Sequence, residues 1–216
     1  PMVLCILAVV LFARSMSTQD IVMNQSIPYF IVMPVAGLIF LICAMAEANR
    51  SPVDLIEADS EMVAGYMVEY SGMKFAMFFI AEYVNMFAVA ILIATLFLGG
   101  WKFFGLEDVA PVLTPMIVFF KAVFVIFVML WFRATFPRFR FDHLVGFAWK
   151  FLVPLSIVNL LLAAIVVKVT ENALGQTGLM LLGNAILMGV TFFILNRTMR
   201  QRDAHPAVKR IAAVER

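Results

Sequence analysis

Long apolar runs separated by short polar stretches organise this chain. Six such runs stand out, at Pro1 to about Ala13, Pro28 to Met45, Phe75 to Leu98, Pro111 to Phe132, Trp149 to Val167 and Leu179 to Leu195. A helix that crosses the hydrocarbon core of a bilayer needs about 20 mostly apolar residues. Each run therefore predicts a membrane-spanning helix, the first of them short and incomplete. The breaks carry turn residues: "GGW" at Gly99–Trp101, "PRFRF" at Pro137–Phe141 and "ENALGQTG" at Glu171–Gly178. The last run contains Gly183, Asn184 and Gly189. Glycine is common in membrane helices, so the span stands. No internal repeat is visible. The pattern predicts an all-α, polytopic transmembrane bundle of about six spans, with residues 1–216 forming a single membrane domain.

Composition agrees with the pattern. The chain is 64% hydrophobic and 14% charged, with a mean hydropathy of +1.00. Soluble domains are about 45–50% apolar and about 25% charged, so a soluble class is excluded. The chain opens at Pro1 and is apolar at once, without the charged start of a signal peptide. It is expected to be a piece of something longer, beginning within or at the start of a membrane helix. Cys5 and Cys43 lie in apolar runs and read as packed thiols. Neither the cysteines nor His143 and His205 have the spacing of a metal site.

Charge then orients the spans. With six crossings, the 46–74 stretch, the 133–150 stretch and the 196–216 tail share one face. That face collects Arg50, Lys74, Arg133, Arg138, Arg140, Lys150, Arg197, Arg200, Arg202, Lys209, Arg210 and Arg216, against Arg14, Lys102 and Lys168 on the other. Basic residues stay inside, so the first face is cytoplasmic, or the matrix side in a mitochondrion. An energy-transducing membrane, bacterial plasma or mitochondrial inner, is the expected location.

The 46–74 stretch is the candidate for chemistry. Glu47, Asp54, Glu57, Asp59, Glu61 and Glu69 fall within 23 positions of a chain that has only 14 acidic residues. The plain reading is a solvated loop. Against it, the carboxylates alternate with Val53, Leu55, Ile56, Met62, Val63 and Tyr66, and only Arg50 and Lys74 offer compensating charge. Crowded, partly dry carboxylates cannot all ionise, so some pKa values rise and the set titrates together. Storing and passing protons is the natural use of such a set. Glu82 in the third run and Lys121 in the fourth add ionisable groups at membrane depth, where charge is costly and usually faces a bundle interior or a water path. A structural Glu–Lys pair and a proton relay both fit these two.

The stretch "AEANRSPVDLIEADSEMVAGYMVEYSGMKFAMFFIAEY" resembles the signature of the H subunit of proton-pumping NADH:quinone oxidoreductase, respiratory complex I. Val53, Ile56, Asp59 and Met62 depart from the usual Phe, Pro, Glu and Leu, and every negative charge is kept. "WFRATFPRFRFDHLVGFAWKFLVPLSIVNLL", from Trp131, is similar to a second motif of that family, with Phe141 for Tyr and His143 for Gln. "SMSTQDIVMNQ", Ser15 to Gln25, resembles a third. The likeness runs from about residue 15 to 161. Family members carry further helices before this point, so the chain is expected to be the C-terminal part of such a protein.

The resemblance implies a membrane-arm subunit that forms part of the quinone tunnel and of the charged path coupling quinone reduction to proton translocation. Carried over residue by residue, the path holds Glu47, Asp54, Glu57, Asp59, Glu61, Glu69 and Glu82, to which Lys121 is added for its depth in the fourth run, with Arg50, Arg133, Arg138, Arg140 and Asp142 as charge partners and interface with the peripheral arm. No residue of this chain is expected to be catalytic or to bind a metal. Quinone is the implied substrate, while FMN and Fe-S clusters belong to partner subunits. The implied partners are peripheral-arm and membrane-arm subunits, a segment supplying the missing N-terminal helices, and the lipid bilayer, with no nucleic acid. Other readings are the related membrane subunit of an energy-converting hydrogenase, a secondary transporter and a structural anchor.

Overall fold

The structure is a computed structural model that describes residues 1–48, 70–102, 111–137, 141–170 and 173–203. All regular structure among these residues is helical. The helices are α1 (Met2–Ala13), α2 (Thr18–Asn24), α3 (Tyr29–Val32), α4 (Pro34–Glu47), α5 (Met73–Leu96), α6 (Thr114–Thr135), α7 (Phe141–Phe147), α8 (Val153–Val169) and α9 (Ala173–Asp203). Met73–Leu96, Thr114–Thr135, His143–Val169 and Gly175–Arg197 are each long and apolar enough to cross a membrane. The chain is a multi-pass membrane protein, as the run pattern predicts.

The first two predicted spans are not straight helices. α1 and α2 meet at a 60° bend. Arg14 ends α1 in the left-handed conformation, at φ 56°. The second run is broken at Met33, which takes φ −127° and ψ 64°. The cause is Pro34, which has no N–H to donate and drives the preceding residue out of the helical region. α4 keeps 14 residues, about 21 Å at 1.5 Å per residue, short of a 30 Å hydrocarbon core. α3 turns back instead, and its Phe30 N–H donates to Phe97 O at 2.9 Å beyond the end of α5.

The later spans are longer than their runs. Phe141–Phe147 is helical rather than loop, and it joins α8 through a π-helical turn at Ala148–Leu152. Pro154 explains the wide turn: lacking an N–H, it cannot continue the i→i−4 ladder, and a π turn re-registers the backbone there. The expected "ENALGQTG" break is also shorter than predicted, because α9 begins at Ala173 and runs straight through Gly175 and Gly178.

Packing follows the logic of a lipid-solvated protein. α5 pairs with α6, α1 packs on α8 and α4, and α9 covers α8, α3 and α4. Small residues sit at these contacts: Ala8, Ala36, Ala44, Ala90, Ala94, Ala122 and Ala163 are all fully buried. Large apolar side chains such as Phe120, Phe124, Phe127, Ile165, Ile186 and Phe192 face outward, each at least 60% exposed. Lipid is as apolar as leucine, so helices associate through close van der Waals approach rather than by hiding bulk. Gly183 shows the same device, since a Cβ there would lie 2.9 Å from the Leu162 side chain. A small aromatic core remains, where Phe12 meets Tyr29 edge-on and Phe40 meets Phe97.

The turn after α5 is the tightest joint. Gly99 and Gly100 have φ of 79° and 51°, and a Cβ on Gly100 would lie 2.8 Å from Val22 Cγ2. Gly100→Ala is expected to lower stability by about 1–2 kcal/mol from the left-handed backbone alone, with the Val22 clash added. Gly189→Ala meets nothing within 4 Å and is expected to be close to neutral. Thermal midpoints of the two purified variants in detergent check this difference.

Candidate functional site

The charged positions singled out from the sequence divide into two groups at opposite ends of α5. At one end lie Glu47 and Glu82. Glu47 is exposed and is the last residue of α4. Glu82 is half-buried in α5. Asn85, one turn after Glu82 and so on the same helix face, donates from Nδ2 to the Glu47 carbonyl oxygen at 3.4 Å. This bond ties the end of α4, where the acidic stretch begins, to the helix that carries Glu82. Asn85 was not picked out from the sequence. The signal was its spacing of three from Glu82 in an otherwise apolar helix.

The rest of the acidic set cannot be placed beside them. Arg50, Asp54, Glu57, Asp59, Glu61, Glu69, Arg138 and Arg140 lie outside the described residues. Asp142 belongs to α7. Arg133 is exposed in the last turn of α6.

Lys121 is at the other end. Its Nζ donates to the carbonyl oxygens of Leu98 at 2.7 Å, Gly100 at 2.9 Å and Lys102 at 2.6 Å. Leu98 follows Glu82 by 16 residues, roughly 24 Å along the helix axis. Of the two readings left open for Glu82 and Lys121, the direct Glu–Lys pair does not fit this placement. The ammonium instead meets the carbonyl end of α5, where the helix dipole is negative and the last carbonyls have no helical partner.

That end of the bundle is a layer of such contacts. Lys102 Nζ donates to Met23 O at 2.6 Å and Gln25 O at 3.3 Å, capping α2. Gln25 Nε2 donates to Leu96 O at 2.7 Å, in a buried bond to the last residue of α5. Asn24 Nδ2 donates to Ala13 O at 3.1 Å, and an Arg14 guanidinium N–H donates to Val167 O at 3.2 Å. The C-terminal ends of α1, α2, α5 and α8 are thus gathered and stitched together by side-chain donors. These contacts put the segments of Arg14 and Lys102 on one face, as the charge count required. The roles of Gln25 and Lys102 were not read from the sequence. Polar side chains flanking a Gly-Gly turn were the available hint.

A direct consequence concerns Lys102 and Lys168. Removing Lys102 takes a charged donor from an exposed carbonyl and a part-buried one, a loss of about 1.5 kcal/mol, the low end for such bonds. Lys102→Met is therefore expected to unfold at clearly lower temperature. Lys168→Met, at an exposed position in the last turn of α8, is expected to stay within about 0.5 kcal/mol of the parent. Melting both in the same detergent tests the assignment.

Residues 1–164 match the NADH dehydrogenase family. The NADH-quinone oxidoreductase H subunit of Dehalococcoides mccartyi is 40% identical over 196 residues, covering 90% of this chain and 51% of the relative. The H subunit of Geobacillus kaustophilus is 53% identical over 172 residues, covering 77% and 50%. An H subunit of Geobacter sulfurreducens is 44% identical over 169 residues, covering 76% and 47%. The chain spans about half the length of the curated relatives it matches.

Proposed function

The chain belongs to the NADH dehydrogenase family, and from that premise we propose that it works as a membrane-arm subunit of an NADH:quinone oxidoreductase. In this reading it forms part of the quinone tunnel and of the charged path that couples quinone reduction to proton translocation. The observation that carries it is the tie between Glu47 and the Glu82 helix through Asn85, at the point where the acidic stretch starts. NADH oxidation, flavin and iron–sulfur clusters belong to partner subunits, which also complete the tunnel. The partners include the peripheral arm, docked near Arg133, Arg138, Arg140 and Asp142, and a segment supplying the helices that the longer relatives have.

The coupling is electrostatic. Reducing a quinone consumes protons and changes charge beside the acidic stretch. In a medium of low dielectric a unit charge acts strongly on its neighbours. A change there alters the proton affinity of Asp54, Glu57, Asp59, Glu61 and Glu69 as a set, with Arg50 setting the balance. Glu47 is the first stop at the membrane and Glu82 the next, on the neighbouring helix. The two ends of α5 then have separate duties: a proton-active end at Glu82 and a fixed end at Leu98–Lys102.

The test is replacement of each carboxylate by its uncharged isostere in the assembled complex. Glu47→Gln and Glu82→Gln are each expected to cut NADH-driven proton uptake into vesicles about tenfold or more, equivalent to about 1.4 kcal/mol on the limiting barrier, with assembly intact. Unchanged turnover and proton-to-electron ratio in both variants would remove them from the path.

A further inference from the structure

The turn that ends α5 has the features of a cation site. Three carbonyl oxygens, of Leu98, Gly100 and Lys102, converge on one point at 2.7, 2.9 and 2.6 Å. Their convergence belongs to the backbone rather than to the side chain that meets them. Gly100 N–H bonds to Ala94 O and Lys102 N–H to Gly99 O, each at 2.9 Å. The positive φ of Gly99 and Gly100 turns the peptide units inward, and Val22 packs against Gly100. The negative end of the α5 dipole points to the same place.

A second observation also points to a cation. Gln25 is only 3% exposed, and its Oε1 is buried without a hydrogen-bond partner. That oxygen lies 3.3 Å from where a Gly99 Cβ would stand, a position 4.0 Å from Lys121 Nζ. The Gln25 amide is held in this pose by its Nε2 bond to Leu96 O. The site therefore offers three oxygens in contact, with the unpartnered Gln25 Oε1 close to Gly99 of the same turn, and all of these oxygens can only accept. Rings of backbone carbonyls that replace a hydration shell are a known way to hold an alkali cation.

We propose that the Leu98–Lys102 turn, with Gln25 at its edge, is a binding cradle for a monovalent cation of potassium or ammonium size, and that Lys121 fills it as a tethered ammonium. The fit to Lys121 is one donor for each carbonyl, since an ammonium has three N–H groups. Lys102 supplies a carbonyl to the cradle but sends its own charge away, to Met23 and Gln25. The side chain at 121 then matters for its charge and reach, and proton exchange by it is not required. This assignment does not depend on the proton path proposed above.

The experiment removes the tether and offers free cations to the native assembly. Lys121→Ala complex, purified in detergent, is melted in potassium, ammonium or choline chloride at equal ionic strength. The expected result is a saturable rise of the thermal midpoint, about 2–4 °C or more, in potassium or ammonium over choline, with the parent complex indifferent to the choice. An equal response in parent and variant, or none in the variant, overturns the cradle. If Lys121→Ala does not assemble, Lys121→Arg and Lys121→Met are compared for yield. Assembly of the Arg variant without the Met variant supports a required cation, and equal yields overturn it.

Discussion

Backbone carbonyls without water dictate much of this architecture. A helix leaves its last four C=O groups without internal partners, and near a bilayer core each unmet group is costly. Here the ends of α1, α2, α5 and α8 come together, so the cost is concentrated in one layer. Arg14, Asn24, Gln25, Lys102 and Lys121 answer it with side-chain donors. The cations are the better answer, because these carbonyls lie in or just beyond the helix ends, at the negative end of each helix dipole.

This layer gives the acidic helix a fixed end. α5 is held at Leu96–Lys102 by bonds from α2, α3 and α6. Its buried residues, from Met86 to Leu96, lie in the same half. The other half, which carries Lys74 and Glu82, is more open and is tied to α4 by the long bond from Asn85. Alanines bring α5 close to its neighbours toward its C-terminal end, while large side chains face outward.

Two of the irregularities share one physical origin. Pro34 breaks the second span, and Pro154 turns the start of α8 into a π turn. Each proline removes an N–H and crowds the preceding turn, and the freed groups find other partners. Phe30 donates to Phe97 across the gap that the first break opens. Irregular backbone at this depth is tolerated where protein buries it, as at the fully buried Met33.

Apolar runs, the Gly-Gly turn and the uneven spread of Arg and Lys are local or summed properties, so they were legible in the chain itself. They determined a helical membrane bundle, and the motifs around Glu47 and Trp131 carried the family likeness. The fate of Lys121 was not legible. A lysine within an apolar run reads the same whether it faces a carboxylate or a carbonyl. That choice depends on which helix end comes within reach of its four-carbon stem. Only the packing of α6 against α5, and of α5 against α2, decided it, because it brought three carbonyls to one ammonium and left Glu82 several turns away.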